Sequence, residues 1–309
     1  MSPDSIAVAA DKLTRTYGQF VAVDRIDLAV GAGEIFGFLG PNGAGKSTTI
    51  RMLCGILAPT SGSARVGGYD VVREPGRVRR IIGYMSQKFS LYEDLRLEEN
   101  IEFFGGVQDL DADRLRRRKL WALETGRLGE YRREFTRNLP GGVRQRLALA
   151  CATIHEPPIL FLDEPTAGVD PRSRRDFWDL IHSLSGGGVT IIVTTHYMDE
   201  AEHCDRLALM HRGRLVAVGT PRDLKEMSRQ SPVLEIETGD LPAMMDLASE
   251  MPGVLEIGLY GNRLHAVVRA TDSTRRALLD AAAARNIHVG AIRSITPSLE
   301  DAFVSLLED

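Results

Sequence analysis

Two short stretches of the chain hold residue types that act on phosphates. Residues 40–48 read Gly-Pro-Asn-Gly-Ala-Gly-Lys-Ser-Thr and satisfy the pattern GxxxxGK[ST] in full. They stand between an apolar run, Glu34-Ile35-Phe36-Gly37-Phe38-Leu39, and the apolar-periodic residues Ile50 to Leu57, so the order is strand, loop, helix. Gly40, Gly43 and Gly45 permit positive φ and close backbone approach, which lets the loop Gly40-Pro41-Asn42-Gly43-Ala44-Gly45 wrap phosphate oxygens with amide groups. A helix starting near Lys46 adds the positive end of its dipole at the same point. Lys46 offers a mobile charge for β and γ phosphates, Ser47 a hydroxyl ligand for Mg²⁺, and Thr48 a donor toward the α phosphate. The second stretch, Ile159-Leu160-Phe161-Leu162-Asp163-Glu164, ends a buried strand in two acids at the carboxyl edge, where open α/β sheets bind ligands. Asp163 suits Mg²⁺ and Glu164 suits a general base. Taken alone, such a strand end is as readily a solvated acid pair; the phosphate loop in the same chain favours the chemical reading.

The elements that must hold these residues follow from hydrophobic periodicity. Short alternating runs at Ile6 to Ala10 and Ile26 to Val30 predict strands of a small sheet, and Val189 to Thr195 predicts another buried strand after a polar helix over Arg172 to Leu184. Strands alternating with helices predict a parallel sheet covered on both faces. Between about residues 89 and 138 the pattern turns helical, with Leu95, Ile101, Phe103, Leu115 and Leu123 among charges, which predicts a helical insertion into the α/β core. After Gly219-Thr220-Pro221 a polar stretch ending at residues 228–232 reads as a linker, and a second domain follows from residue 223 to 309. Its expected order is β-α-β-β-α-β with a last helix from Ser298, a small ferredoxin-like α+β domain.

Composition narrows the function classes. The 309 residues are 43% hydrophobic and 26% charged, near the soluble average, which excludes a fibre or a disordered tail. No apolar run approaches the roughly 18 residues of a membrane span, and the N-terminus lacks a basic segment followed by an apolar one, so the chain is expected to be neither membrane-spanning nor secreted. Net charge is −4; residues 223–309 carry 8 Lys and Arg against 14 Asp and Glu, and residues 1–222 carry 30 against 28. Neither part is a strongly basic surface, so no nucleic-acid partner is expected. Cys54, Cys151 and Cys204 are few and far apart, which fits a reducing compartment rather than a disulfide framework, and His203 beside Cys204 has no further ligand at a metal spacing.

Over residues 5–222 the chain resembles the nucleotide-binding subunits of ABC transporters. Beyond the phosphate loop and the Asp163-Glu164 pair, Gln87 in Gly83-Tyr84-Met85-Ser86-Gln87 stands at the family's Q-loop, Leu139-Pro140-Gly141-Gly142-Val143-Arg144-Gln145-Arg146 at its signature motif, Ala167-Gly168-Val169-Asp170 at its D-loop and His196 at its switch histidine. Tyr17 stands where the family stacks an aromatic on adenine. By themselves Tyr17 and His196 read as a packing aromatic and a surface histidine, so their roles rest on the resemblance. It implies a P-loop NTPase (RecA-like) core with an antiparallel β subdomain and an inserted helical subdomain. ATP and Mg²⁺ are the implied cofactors, with Ser47, Gln87 and Asp163 at the metal and Lys46, Gln87, Glu164 and His196 in hydrolysis. Gly141 and Gly142 are implied to face the ATP of a partner subunit in a homodimer or pseudo-dimer, and Asp170 is implied to bind nucleotide. The implied position is peripheral, on the cytoplasmic face of the inner membrane, against an integral-membrane permease.

The ending Pro297-Ser298-Leu299-Glu300-Asp301-Ala302-Phe303 and the stretch after Gln87 resemble the ABC-2 type exporter ATPases of the daunorubicin-resistance kind. One departure stands out: the family's signature reads LSGGQ, whereas Pro140 here has neither hydroxyl nor backbone donor and Val143 replaces glutamine. That departure leaves an alternative open, a weakly hydrolysing regulatory half paired with a more active ATPase. A third reading, an ABC-type ATPase acting on ribosomes or DNA, would want two nucleotide domains in one chain or a basic linker.

Overall fold

The computed structural model describes residues 6–87, 91–227, 232–295 and 298–305. Most of the expected linker (228–231), the start of the expected helical insertion (89–90, with Lys88 before it) and Pro297 of the closing motif lie outside these residues. The chain divides into two compact units, the first ending at Val218 and the second starting at Gly219.

The first unit is built on two sheets. Strands β1 (Ile6–Tyr17) and β2 (Phe20–Gly31) join β4 (Ser61–Val66) and the two-residue β5 (Tyr69–Asp70) in an antiparallel sheet of order β2-β1-β4-β5. The runs at 6–10 and 26–30 are therefore parts of two strands of 12 residues each. Bulges conceal this in the sequence: register shifts fall between Ala10 and Leu13, and Lys12 and Arg25 both take positive φ (45°), which breaks the period-two alternation.

The second sheet holds β3 (Ile35–Leu39), β6 (Ile82–Met85), β7 (Ile159–Asp163), β8 (Thr190–Thr195), β9 (Arg206–His211) and β10 (Arg214–Gly219) in the order β10-β9-β3-β8-β7-β6. Strands β9, β3, β8, β7 and β6 run parallel. Every residue of β3, β7 and β8 is buried, as expected of strands covered on both faces. Helices α1 (Lys46–Leu53), α2 (Pro75–Ile81), α5 (Gly141–Ala152), α6 (Pro171–Gly186) and the single turn α7 (Met198–Ala201) connect the strands. Helix α1 stops at Leu53, short of the expected Leu57, because Gly55 takes positive φ (64°) just past its end. The hairpin β9-β10, strands β4 and β6, and helix α2 carry no period long enough to announce them.

The helical insertion comprises α3 (Leu97–Val107), α4 (Ala112–Thr125) and two short 3₁₀ turns. Its core runs on past Asn138 into α5: Leu139, and Val143 and Leu147 of α5, pack with Leu97, Ile101 and Leu128. Asn100 is fully buried there and satisfied: its amide donates to Tyr92 O (2.9 Å) and Thr136 Oγ1 (2.9 Å).

The second unit holds α8 (Pro221–Met227), β11 (Val233–Thr238), α9 (Leu241–Ser249), β12 (Val254–Tyr260), β13 (Arg263–Val268), α10 (Thr271–Ala284), β14 (Val289–Ile295) and α11 (Leu299–Ser305). The strands form an antiparallel sheet of order β12-β13-β11-β14, and Leu234, Ile236, Leu264, Ala266 and Val268 pack with Met244, Leu247 and Leu278 of the helices. Among the described residues no helix is long and apolar enough to cross a membrane.

Candidate functional site

The phosphate loop leaves the end of β3 and enters α1. Gly43 and Gly45 take positive φ (81° and 107°), and Gly45 is the N-cap of the helix. Gly40 does not take positive φ; it is required for close approach, since a Cβ there would sit 2.2 Å from Met210 O. Residues 42–48 line one open cleft together with Tyr17, Gln87 and Glu164. Phe20 and Ala22 line it too, and sequence reasoning missed both. Tyr17 and Phe20 flank the Gly18-Gln19 turn and are 49% and 64% exposed. Arg15 lies over the Tyr17 ring at 4.6 Å.

Charged side chains converge at the floor of the cleft. Lys46 is buried; its Nζ donates to Gly40 O (2.7 Å) and Pro41 O (3.1 Å) and lies 3.4 Å from Glu164 Oε1. Burial pulls its pKa down, opposed by Glu164 and Asp163. Gln87 Nε2 donates to Glu164 Oε2 (3.0 Å), and His196 Nδ1 lies 3.5 Å from the same oxygen. Glu164 itself takes positive φ (47°), a conformation that costs a non-glycine residue about 1–3 kcal/mol. That turn sends Glu164 toward Lys46 while its neighbour Asp163 stays at the strand end.

Asp163 is fully buried, and burial raises its pKa against the opposing hydroxyls of Ser47 and Thr194, each of which donates to Oδ1 at 2.8 Å. Its Oδ2 is buried with no hydrogen-bond partner. An orphaned carboxylate oxygen beside a serine hydroxyl is a donor set for a hard cation, so the residues present fit one. Thr194, which also accepts from Glu164 N (2.8 Å), was not foreseen. A hydroxyl within the fully buried run Thr190 to Thr195 was the available signal.

Other expected site residues lie elsewhere. Asp170 was expected at a nucleotide; in this chain it is the N-cap of α6, accepting from Arg172 N (3.1 Å) and Ser173 N (3.0 Å), and it does not line the cleft. Gly141 and Gly142 also stand away from the cleft, at the first turn of α5, with Pro140 as a cap that supplies no side-chain hydrogen bond. Gly142 packs on α6: a Cβ there would meet Ser173 Oγ at 2.5 Å and Ser173 Cβ at 2.6 Å. Val143 is buried in the helical core, which accounts for an apolar side chain at that place.

Comparison with known proteins agrees with this architecture. A sequence profile described as ABC transporter matches residues 23–167, and one described as the C-terminal domain of ATP-binding protein DrrA1-3-like matches residues 219–307. The chain is 53% identical over 228 residues to the probable multidrug ABC transporter ATP-binding protein YbhF of Escherichia coli (strain K12), a match covering 74% of this chain and 39% of that one. It is 37% identical over 305 residues to the daunorubicin/doxorubicin resistance ATP-binding protein DrrA of Streptomyces peucetius, covering 97% of this chain and 92% of that one. A solved structure of an ATP binding subunit of an ABC transporter superposes with a TM-score of 0.66 at 30% identity, covering 72% of this chain and 92% of that one. A dimeric ATP-binding cassette in a post-hydrolysis state with ADP and Pi superposes with a TM-score of 0.64 at 27% identity, covering 69% and 98%.

Proposed function

The chain belongs to the ABC transporter ATP-binding proteins, and from that premise we propose that it binds and hydrolyses ATP to drive a separate integral-membrane ABC-2 permease, exporting drugs or other hydrophobic or amphipathic compounds. The observation that carries the reading is the convergence on Glu164 of Lys46, Gln87 and His196, within 3.0 to 3.5 Å, beside the orphaned Asp163 oxygen. In this reading the amides of residues 42–48 hold the phosphates and Lys46 exchanges the carbonyls of Gly40 and Pro41 for β and γ oxygens. The adenine stacks on Tyr17. Glu164 accepts a proton as water oxygen attacks the γ phosphorus, the bond to the β-phosphate oxygen breaks, and His196 holds the γ phosphate. Mg²⁺, which Ser47, Asp163 and Gln87 would hold, neutralises charge on the β and γ phosphates when bound.

Gly141 and Gly142 stand outside the cleft of their own chain, which favours a shared site completed by a second copy or a related nucleotide-binding domain. Residues 1–222 serve as the ATPase domain, with the helical subdomain at about 89–138, and residues 223–309 as an accessory or regulatory domain. The sheet order β12-β13-β11-β14 supports a ferredoxin-like fold for that domain. In this reading the chain works on the cytoplasmic face of the inner membrane, beside its permease.

The test is turnover of MgATP by the purified full chain, alone and reconstituted with a permease, with its mass in solution followed with and without ATP. Turnover accompanied by ATP-dependent dimers is expected. No turnover and no ATP binding in either setting overturns the reading.

A further inference from the structure

The turn that carries Glu164 and the turn that carries His196 are tied to one buried carboxylate. Glu200, in α7, is 1% exposed. Its Oε1 accepts from Thr166 Oγ1, two residues after Glu164, and its Oε2 accepts from Thr195 Oγ1 (2.7 Å), one residue before His196. Thr195 Oγ1 in turn accepts from Tyr197 N (2.9 Å), so the backbone on both sides of His196 is pinned to the same group. Arg174 of α6 closes the cluster. Its Nε lies 3.2 Å from Glu200 Oε1, its Nη1 lies 3.2 Å from Asp199 Oδ2, and its guanidinium covers the Tyr197 ring at 4.1 Å. The Tyr197 ring stands 4.1 Å from that of His196.

A carboxylate this deeply buried is costly unless each oxygen is paired, and here both are. Thr166, Thr195 and Arg174 are not among the residues that line the nucleotide cleft. Two hydroxyls on one rigid carboxylate fix the distance between their own segments, and those segments end in the two groups that must meet at the attacking water. We infer that Glu200, braced by Arg174, is a positioning residue for hydrolysis, setting His196 against Glu164. The inference rests on the proposed ATPase reading and adds a requirement to it: ATP can be bound fully and still turn over slowly when this brace is lost.

Glu200→Gln keeps the size of the side chain but leaves one acceptor oxygen for two hydroxyls and removes the charge that Arg174 balances. With the full chain and MgATP, kcat is expected to fall about 10- to 100-fold, while KM and the affinity for a fluorescent ATP analogue stay within about threefold. Combined with His196→Ala, the loss in kcat is expected to be smaller than the product of the two single losses, because the geometry being set is already gone. Thr195→Val, which removes one hydroxyl at constant shape, moves kcat the same way by less, and carries the test if Glu200→Gln does not fold. A kcat within about twofold of wild type, losses that multiply in full with His196→Ala, or an equal loss of ATP affinity overturns the inference. Absent wild-type turnover strikes the ATPase reading; an active wild type beside an unaffected Glu200→Gln strikes only the brace.

Discussion

Lys46 Nζ lies 3.4 Å from Glu164 Oε1, and both side chains are buried. The pairing leaves neither as an unpaired buried charge. In the proposed reaction phosphate replaces that pairing: Lys46 turns to the phosphates and the freed carboxylate faces the attacking water.

Glu164→Gln separates binding from chemistry. The amide cannot take the proton, so turnover is expected to fall more than about 100-fold. Lys46 no longer has an anion to leave, so ATP affinity is kept or improved and ATP-dependent dimers accumulate. Steady-state turnover beside an equilibrium binding titration checks both halves, and unchanged turnover removes Glu164 as the base.

Burial of Asp163 ties the stability of the chain to pH. Its pKa is raised by burial, so the folded chain holds that proton more tightly than the unfolded chain does. Ionising it therefore costs stability; the cost is absent below the ordinary value of 3.8 and is complete above the folded pKa. Asp163→Asn is expected to raise the Tm of the nucleotide-free chain at pH 8, at about 2–4 °C per kcal/mol relieved, with the advantage narrowing as pH falls and turnover lost throughout. Melting curves across pH decide it; a variant that melts below wild type at pH 8 contradicts the assignment.

The two glycines of the signature turn differ in what they permit. Gly142 has Ser173 within 2.6 Å of where a Cβ would stand, whereas Gly141 has nothing within 4 Å. Gly142→Ala is expected to force α5 from α6 at about 1–3 kcal/mol, and Gly141→Ala to leave Tm close to wild type. Ser173→Gly is expected to cost less Tm in the Gly142→Ala background than in wild type, and that difference shows the cost to be the contact.

Pro140 caps α5 without donating or accepting through its side chain. Pro140→Ser introduces a hydroxyl at an N-cap, stabilising the helix by about 1 kcal/mol. In the proposed composite site that hydroxyl would add one hydrogen bond to a charged phosphate, about 1.5–3 kcal/mol, so turnover is expected to rise by roughly one to two decades. Equal turnover at equal stability shows that the glycine amides suffice without it.

The residues legible in the sequence were those whose role is local. Gly40 to Thr48 wrap an anion because glycine, lysine and hydroxyl groups follow one another between a strand and a helix, and Asp163 and Glu164 stand at a strand end because four apolar residues precede them. Short-range geometry suffices for both, so composition and spacing alone determined a phosphate site within an α/β core and a second β-α-β-β-α-β unit. Tertiary structure decided what lies between segments far apart in the chain. Only β7 pairing with β8 sets Thr194 on Asp163, only α5 meeting α6 makes Gly142 obligatory, and only the meeting of α6, α7 and two turns turns Glu200 into a shared anchor. No periodicity records those contacts, because a hydrogen bond, an ion pair or a close approach depends on where two chain segments meet rather than on what precedes either one.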